Sequence, residues 1–320
     1  MSRPDRYGLI LALLALVALA AGRAVATDLG VYQGAGCDGV NGKRNFTRWL
    51  GREPDLMVDF IAWEMLETRN VWSVKCWSEA DQKKVVFSIP MLPGSGATLA
   101  EGAAGKFDAL FRDYAAILVR YGYGDSIIRI GWEFNGNWYP WAASKDPEAW
   151  IAYWRRIVNA MRAVPGANFR FDWNPANGWN ALKADRVWPG DDYVDIVGLD
   201  LYNVTWNTAV TTPQQLWQEM RSGAYGLEWQ RDFAAAHRKP RSLPEWATGI
   251  RPEDGKGGGD DAYFIEQVAA WIGAGDFIYH SYWDYAHPPY NGKLSDGHQP
   301  RAASAYLKAF GRRPRAPVIQ

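Results

Sequence analysis

Eight short runs of apolar and β-branched residues, each followed by enough chain for a helix, constrain this protein more than any other feature of its sequence. They are Leu29 to Gln33, Leu56 to Ile61, Val85 to Pro90, Ile127 to Glu133, Phe169 to Asn174, Val194 to Tyr202, Arg241 to Trp246 and Phe277 to Asp284. Runs of this length between polar or glycine-rich segments read as buried strands. Several intervals carry helical signals. Lys106 to Tyr121 places Phe107, Leu110, Phe111, Tyr114 and Leu118 on one face, and Pro147 to Met161 does likewise. Asp146 before Pro147 supplies an N-cap followed by proline in the first turn. Eight such alternations imply parallel strands with helical crossovers, and closing them into a barrel leaves no exposed edge. The expected fold is therefore α/β, a single-domain (β/α)8 TIM barrel over residues 27–320. An open doubly wound sheet would carry a glycine-rich phosphate turn after its first strand. The glycines of Gly34 to Gly42 match neither dinucleotide nor P-loop spacing, and Cys37 stands where the first P-loop glycine belongs.

Residues 1–26 read as a signal peptide outside that fold. Arg3 and Arg6 precede an apolar run from Leu9 to Ala21, and Ala24, Val25 and Ala26 form a small-x-small cleavage pattern. The mature chain would begin near Thr27, in the periplasm or outside the cell. An uncleaved anchor is the other reading, but the run is shorter than the roughly 20 apolar residues that span a bilayer. No later stretch is apolar enough to cross a membrane. Lys plus Arg equals Asp plus Glu at 35 each, so the basic footprint of a nucleic-acid binder is missing and a neutral polymer is the better partner. Cys37 and Cys76 are the two cysteines of the chain. In an oxidising compartment they either bridge or remain two buried thiols.

In a barrel, function collects at the carboxyl ends of the strands. The fourth strand ends in Arg129, Ile130, Gly131, Trp132, Glu133, Phe134, Asn135, Gly136, Asn137, Trp138, Tyr139, Pro140 and Trp141. A side-chain period of two places Arg129, Gly131 and Glu133 on one face, with the glutamate at the rim. The seventh strand presents Glu245 in the same way. Strand ends three positions apart around an eight-membered ring face each other, so these carboxylates can flank one bond. Glycoside hydrolysis needs such a pair, one to protonate the leaving oxygen and one to attack or to activate water. An isolated glutamate at a strand end is more often a salt bridge. Here Trp132, Trp138, Tyr139 and Trp141 surround one glutamate, Trp246 adjoins the other, and Trp283 ends the eighth strand. The amphipathic faces of indoles and phenols match the apolar faces and polar edges of sugar rings.

The segment from Arg129 to Trp141 resembles the acid/base motif of glycoside hydrolase family 26, retaining glycosidases of clan A whose best-known members are β-mannanases. The likeness runs on through Trp173, Asn174 and Pro175, Asp200 and Tyr202, and Glu245. It implies Glu133 as general acid/base and Glu245 as nucleophile, about 5 to 5.5 Å apart in a retaining mechanism. Tyr202 would hydrogen-bond the nucleophile and Trp283 would floor the cleaved sugar. Arg129, Trp132, Asn135, Trp138, Trp141, Trp173, Tyr202, Trp246 and Trp283 are the expected substrate contacts. One departure matters: the family usually has histidine before the acid/base glutamate, and here that residue is Trp132. This weakens a mannan assignment and makes an exopolysaccharide or another β-linked glycan a competitor.

The expected activity is an exported retaining endo-β-glycosidase. For that chemistry Glu133 must stay protonated near neutral pH while Glu245 stays ionised. A non-catalytic glycan-binding protein on the same barrel is the competing reading. A serine hydrolase is weaker, because Gly94, Ser95 and Gly96 lack nucleophile-elbow spacing. The glycine-rich loop from Glu253 to Asp261 is either a flap or an ordinary surface loop. His280, His287 and His298 lack a metal-binding spacing, so neither metal nor cofactor is expected. Oligomeric state has no signal in the sequence.

Overall fold

The computed structural model describes residues 27–312 apart from Ser95 and Trp179. The expected leader, residues 1–26, lies outside the described residues. In chain order the elements are β1 (Asp28–Tyr32), α1 (Gly36–Leu50), β2 (Leu56–Phe60), α2 (Trp63–Thr68), α3 (Trp72–Glu79), β3 (Val85–Ile89), α4 (Leu99–Ala103), α5 (Asp108–Arg120), β4 (Ile127–Ile130), α6 (Pro147–Arg162) and β5 (Arg170–Trp173). They continue with β6 (Ile196–Val197), β7 (Leu201–Tyr202), α7 (Pro213–Ser222), α8 (Leu227–Ala236), β8 (Arg241–Ala247), α9 (Ala262–Gly273), β9 (Phe277–Trp283), a small β10 (Ala286–His287) and β11 (Tyr290–Asn291) hairpin, and α10 (Pro300–Phe310). The parallel sheet closes, with β1 pairing β9 at one seam and Val197 meeting Arg241 at the other. This is the (β/α)8 barrel.

The sixth position of the barrel differs from expectation. The expected single strand from Val194 to Tyr202 is broken into β6 and β7, and the break contains Gly198, where a Cβ would run into Asp172 Oδ1 and crowd Asn174 and Pro244. The break leaves Asp200 bridged to Ala176 outside either strand.

Side-chain alternation divides the apolar residues into two layers. Tyr32, Leu56, Val58, Val86, Ile127, Ile196 and Tyr279 fill the barrel interior. Their strand neighbours, such as Val31, Met57, Phe87 and Ile128, pack outward under the helices. Helix α6 shows why the outer layer holds. The Asp146 carboxylate accepts from the Ala149 N–H at 3.0 Å, and Pro147 needs no N–H partner. Its buried residues Trp150, Tyr153, Trp154, Ile157, Val158 and Met161 recur at helical spacing.

Cys37, at the start of α1, and Cys76, in α3, form a disulfide with a sequence separation of 39. Closing such a loop contributes about 4 kcal/mol in the chain-entropy model. The bridge pins the segments that follow β1 and β2, the side of the barrel where the site lies. Among the described residues, no helix is long and apolar enough to cross a membrane.

Candidate active site

Both glutamates reach the barrel mouth through irregular backbone. β4 stops at Ile130, so the expected run of Arg129, Gly131 and Glu133 along one strand does not form. Gly131 and Glu133 instead turn through left-handed conformations, φ 50° and φ 52°. For a glutamate this costs about 1 to 2 kcal/mol, and the Glu133 N–H is pinned to the Asn174 carbonyl at 2.8 Å. Glu245 lies within β8, where the pairing with β9 shifts register between Leu243 and Trp246. A bulge there re-aims the glutamate toward the mouth.

Glu245 is 5 % exposed, and both of its oxygens are held. Arg129 Nη2 donates to Oε1 at 2.6 Å, and the Tyr202 hydroxyl donates to Oε2 at 2.7 Å. The fully buried Arg129 also donates to Asp200 Oδ2 at 2.9 Å and Ser88 Oγ at 2.9 Å, and through Nε to Asn174 Oδ1 at 2.8 Å. Buried charges of both signs thus satisfy one another, the condition under which charged groups survive out of water. Burial, and then the Glu245 charge, push Asp200 well above the usual carboxylate range, against the pull of Arg129.

Glu133 has a different setting. It is half-buried, and the Trp138 indole N–H donates to its Oε2 at 2.8 Å. Burial and then the Glu245 charge raise its pKa to about 7, opposed by the Trp138 hydrogen bond and the more distant Arg129. Two carboxyl groups that feel each other are therefore arranged so that one keeps its proton near neutrality while the other meets an arginine and a phenol. Such a division of labour suits acid and nucleophile.

Aromatic rings complete the mouth. Tyr32 stacks on Trp283 with centroids 4.3 Å apart, and Trp283 approaches Tyr202 at 6.3 Å. Trp132 meets Phe60, Tyr139 and Trp141 edge-on, while Tyr139 stacks on Trp141 at 4.6 Å. Trp138 is 51 % exposed. Of the expected substrate contacts, Trp132, Trp138, Trp141, Tyr202 and Trp283 thus gather around the two glutamates.

Four do not reach a ligand. Trp173 follows the inward-facing Asp172 on β5, so it points out and packs against Phe134, Trp188 and Phe233. Trp246, next to the re-aimed Glu245, packs outward on Phe264, Tyr306 and Phe310, and its N–H donates to His280. Asn135 is fully buried, with its amide accepting from the Ala176 N–H at 2.8 Å and donating to the Ala176 carbonyl at 2.9 Å. Arg129 is likewise fully buried and acts on Glu245 rather than on a sugar.

Sequence reasoning missed Tyr32 and Phe60, although each is the last residue of its strand and so a candidate for the mouth. Asn174 and Asp200 were part of the resemblance without a role, and they prove to be the partners of Arg129. Among the described residues no group of three or more His, Cys, Asp or Glu is placed to hold a metal.

Comparison with known proteins adds the following. The family model described as Glycosyl hydrolase family 26 matches residues 126–219, a stretch that contains Glu133 and Tyr202. The chain is 28% identical over 280 residues to Endoglucanase H of Acetivibrio thermocellus, covering 84% of this chain and 29% of the relative. It thus spans less than a third of that protein's length. The catalytic domain of an endo-β-1,4-mannanase from a Bacillus species superposes with a TM-score of 0.65 at 17% identity, over 89% of this chain and 87% of that one. A modular endo-β-1,4-mannanase from Cellulomonas fimi does so with a TM-score of 0.62 at 18% identity, over 95% and 78%. At these identities the two structures speak for the barrel.

Proposed function

We propose that the chain is a member of glycoside hydrolase family 26, whose model matches residues 126–219, and that it is an exported retaining endo-β-glycosidase cleaving a β-linked polysaccharide. The observation that carries this reading is the unequal environment of the two glutamates. Glu133, raised to about 7, protonates the glycosidic oxygen as the bond to the anomeric carbon breaks. Glu245, held by Arg129 and Tyr202, attacks that carbon from the opposite face and forms a glycosyl ester. Glu133, now a carboxylate, then takes a proton from the water that releases the sugar and restores Glu245. Trp283 and Tyr32 offer the flat apolar surface on which the cleaved ring rests.

The names of the relatives, an endoglucanase and endo-β-1,4-mannanases, put glucan and β-1,4-linked mannan first among candidate substrates. Export is supported by the leader-like residues 1–26 and by the Cys37–Cys76 disulfide, which suits an oxidising compartment. A glycan-binding protein without turnover has no use for one carboxyl kept neutral beside another that is held ready to attack. The test is incubation with β-mannans, xylans, glucans and exopolysaccharides, following new reducing ends, product sizes and the first anomer formed by NMR. Internal cleavage releasing the β anomer first is expected. The α anomer appearing first overturns retention, and a panel without new reducing ends overturns the hydrolase reading.

A further inference from the structure

A pocket of about 680 Å³ has Tyr32, Phe60, Ile61, Trp63, Trp132 and Trp141 on its wall. That volume falls within the range of small-molecule sites. Its chemistry is unusual for a sugar subsite. Among the described residues no charged or amide side chain stands on the wall. One indole donor is already engaged, Trp141 with the Trp132 carbonyl at 2.9 Å, and the remaining polar groups of the wall's side chains are the Trp63 and Trp132 indoles and the Tyr32 and Tyr139 hydroxyls among the described residues. A plain hexose carries hydroxyls around its ring, and each one taken out of water needs a partner. This pocket would leave several without one, whereas a methyl group gains from burial there. Two residues of the wall link it to the two glutamates. Trp132 directly precedes Glu133, and Tyr32 stacks on Trp283 and feels the Glu245 charge.

We propose that this pocket takes a sugar unit bearing a methyl group where a plain hexose bears a hydroxyl, through an O-acetyl ester or a 6-deoxy carbon. The substrate is then an acylated or deoxy-sugar-containing β-glycan, and Trp132 and Phe60 determine that specificity. The inference rests on the hydrolase reading, because it takes the pocket as a subsite of that same cleft. A histidine at position 132 would return a polar group to the wall; the indole withdraws it.

Binding tests the pocket separately from turnover. Calorimetric titration of the Glu133→Gln protein would use acetylated glucomannan oligosaccharides, the same oligosaccharides after alkaline deacetylation, and rhamnose-containing oligosaccharides as the 6-deoxy arm. The acetylated set is expected to bind at least about tenfold tighter than the deacetylated set, a difference of ~1.4 kcal/mol. Trp132→His in the same background should bring that ratio toward one. Should Trp132→His fail to fold, Phe60→Tyr, which adds a hydroxyl to the wall, should lower the ratio in the same sense. Preference for the rhamnose arm alone supports the proposal with a deoxy sugar as the source. A ratio near one in the parent, a preference for deacetylated ligand, or no binding of any of the three overturns it. Wild-type protein that binds these glycans and releases no reducing ends from them overturns the hydrolase reading and leaves the pocket's preference standing.

Discussion

The two halves of the barrel mouth solve opposite problems with similar depth of burial. On the side formed by the ends of β4, β5, β7 and β8, Arg129, Asn174, Asp200, Tyr202 and Glu245 form one hydrogen-bonded network of buried polar groups. On the side formed by the ends of β1, β2 and β3 and the loop after β4, Tyr32, Phe60, Trp132, Tyr139 and Trp141 exclude water and supply few donors. Glu133 stands at the seam with a single indole donor, and its proton is retained to about pH 7. Glu245 stands inside the network. The contrast teaches that two carboxyls at one mouth can be given unlike partners, a single indole N–H for Glu133 and a guanidinium with a phenol for Glu245.

The strongest way to break the comparison is to remove the networked carboxylate. Glu245→Ala is expected to lower kcat by about 10⁴-fold or more while glycan affinity stays within a few-fold. Added azide should restore turnover by forming a glycosyl azide of inverted configuration. Turnover that survives the substitution would strip Glu245 of its role. The next test removes the cation. Arg129→Met leaves Asp200 and Glu245 buried beside each other without a countercharge, and denaturant unfolding should show a loss of about 3 to 5 kcal/mol. A loss under about 1 kcal/mol, the scale of an exposed ion pair, would mean that the network is not what holds this half of the mouth.

Much of this was legible in the sequence, and the failures share a cause. The eight strands could be read because buried parallel strands are short continuous apolar runs, and the structure alters them mainly at their ends and at Gly198. Trp173 and Trp246 were placed in the cleft by their chemistry and by their proximity along the chain to site residues. Strand alternation, applied strictly, sends each neighbour of an inward residue to the helix layer. Glu133 shows the converse. Alternation led to the right region by a wrong route, since the strand ends at Ile130 and two left-handed residues carry the chain onward. Positive φ on a glutamate has no sequence signature, and neither does the register shift before Trp246. The Arg129 network was hidden for another reason: its members come from β4, β7 and β8 and from the chain just after β5 and just before β7, and only the closed barrel brings them together.

The smallest expected effect sharpens the comparison at its seam. If Glu133 is the acid, kcat/KM depends on its protonated form in the free enzyme, so the rate should fall as pH rises through about 7. The Trp138 N–H donates to Glu133 Oε2 and thereby favours the ionised form, lowering the pKa that burial raises. Trp138→Phe keeps an aromatic ring over the glutamate and removes that donor, so the alkaline limb should move to higher pH. Trp138 is 51 % exposed and water can replace part of its hydrogen bond, so the shift should stay below about one pH unit, or ~1.4 kcal/mol. A limb that moves to lower pH would show that the indole acts chiefly by excluding water from Glu133, which would place Trp138 with the aromatic half of the mouth instead of with its donors.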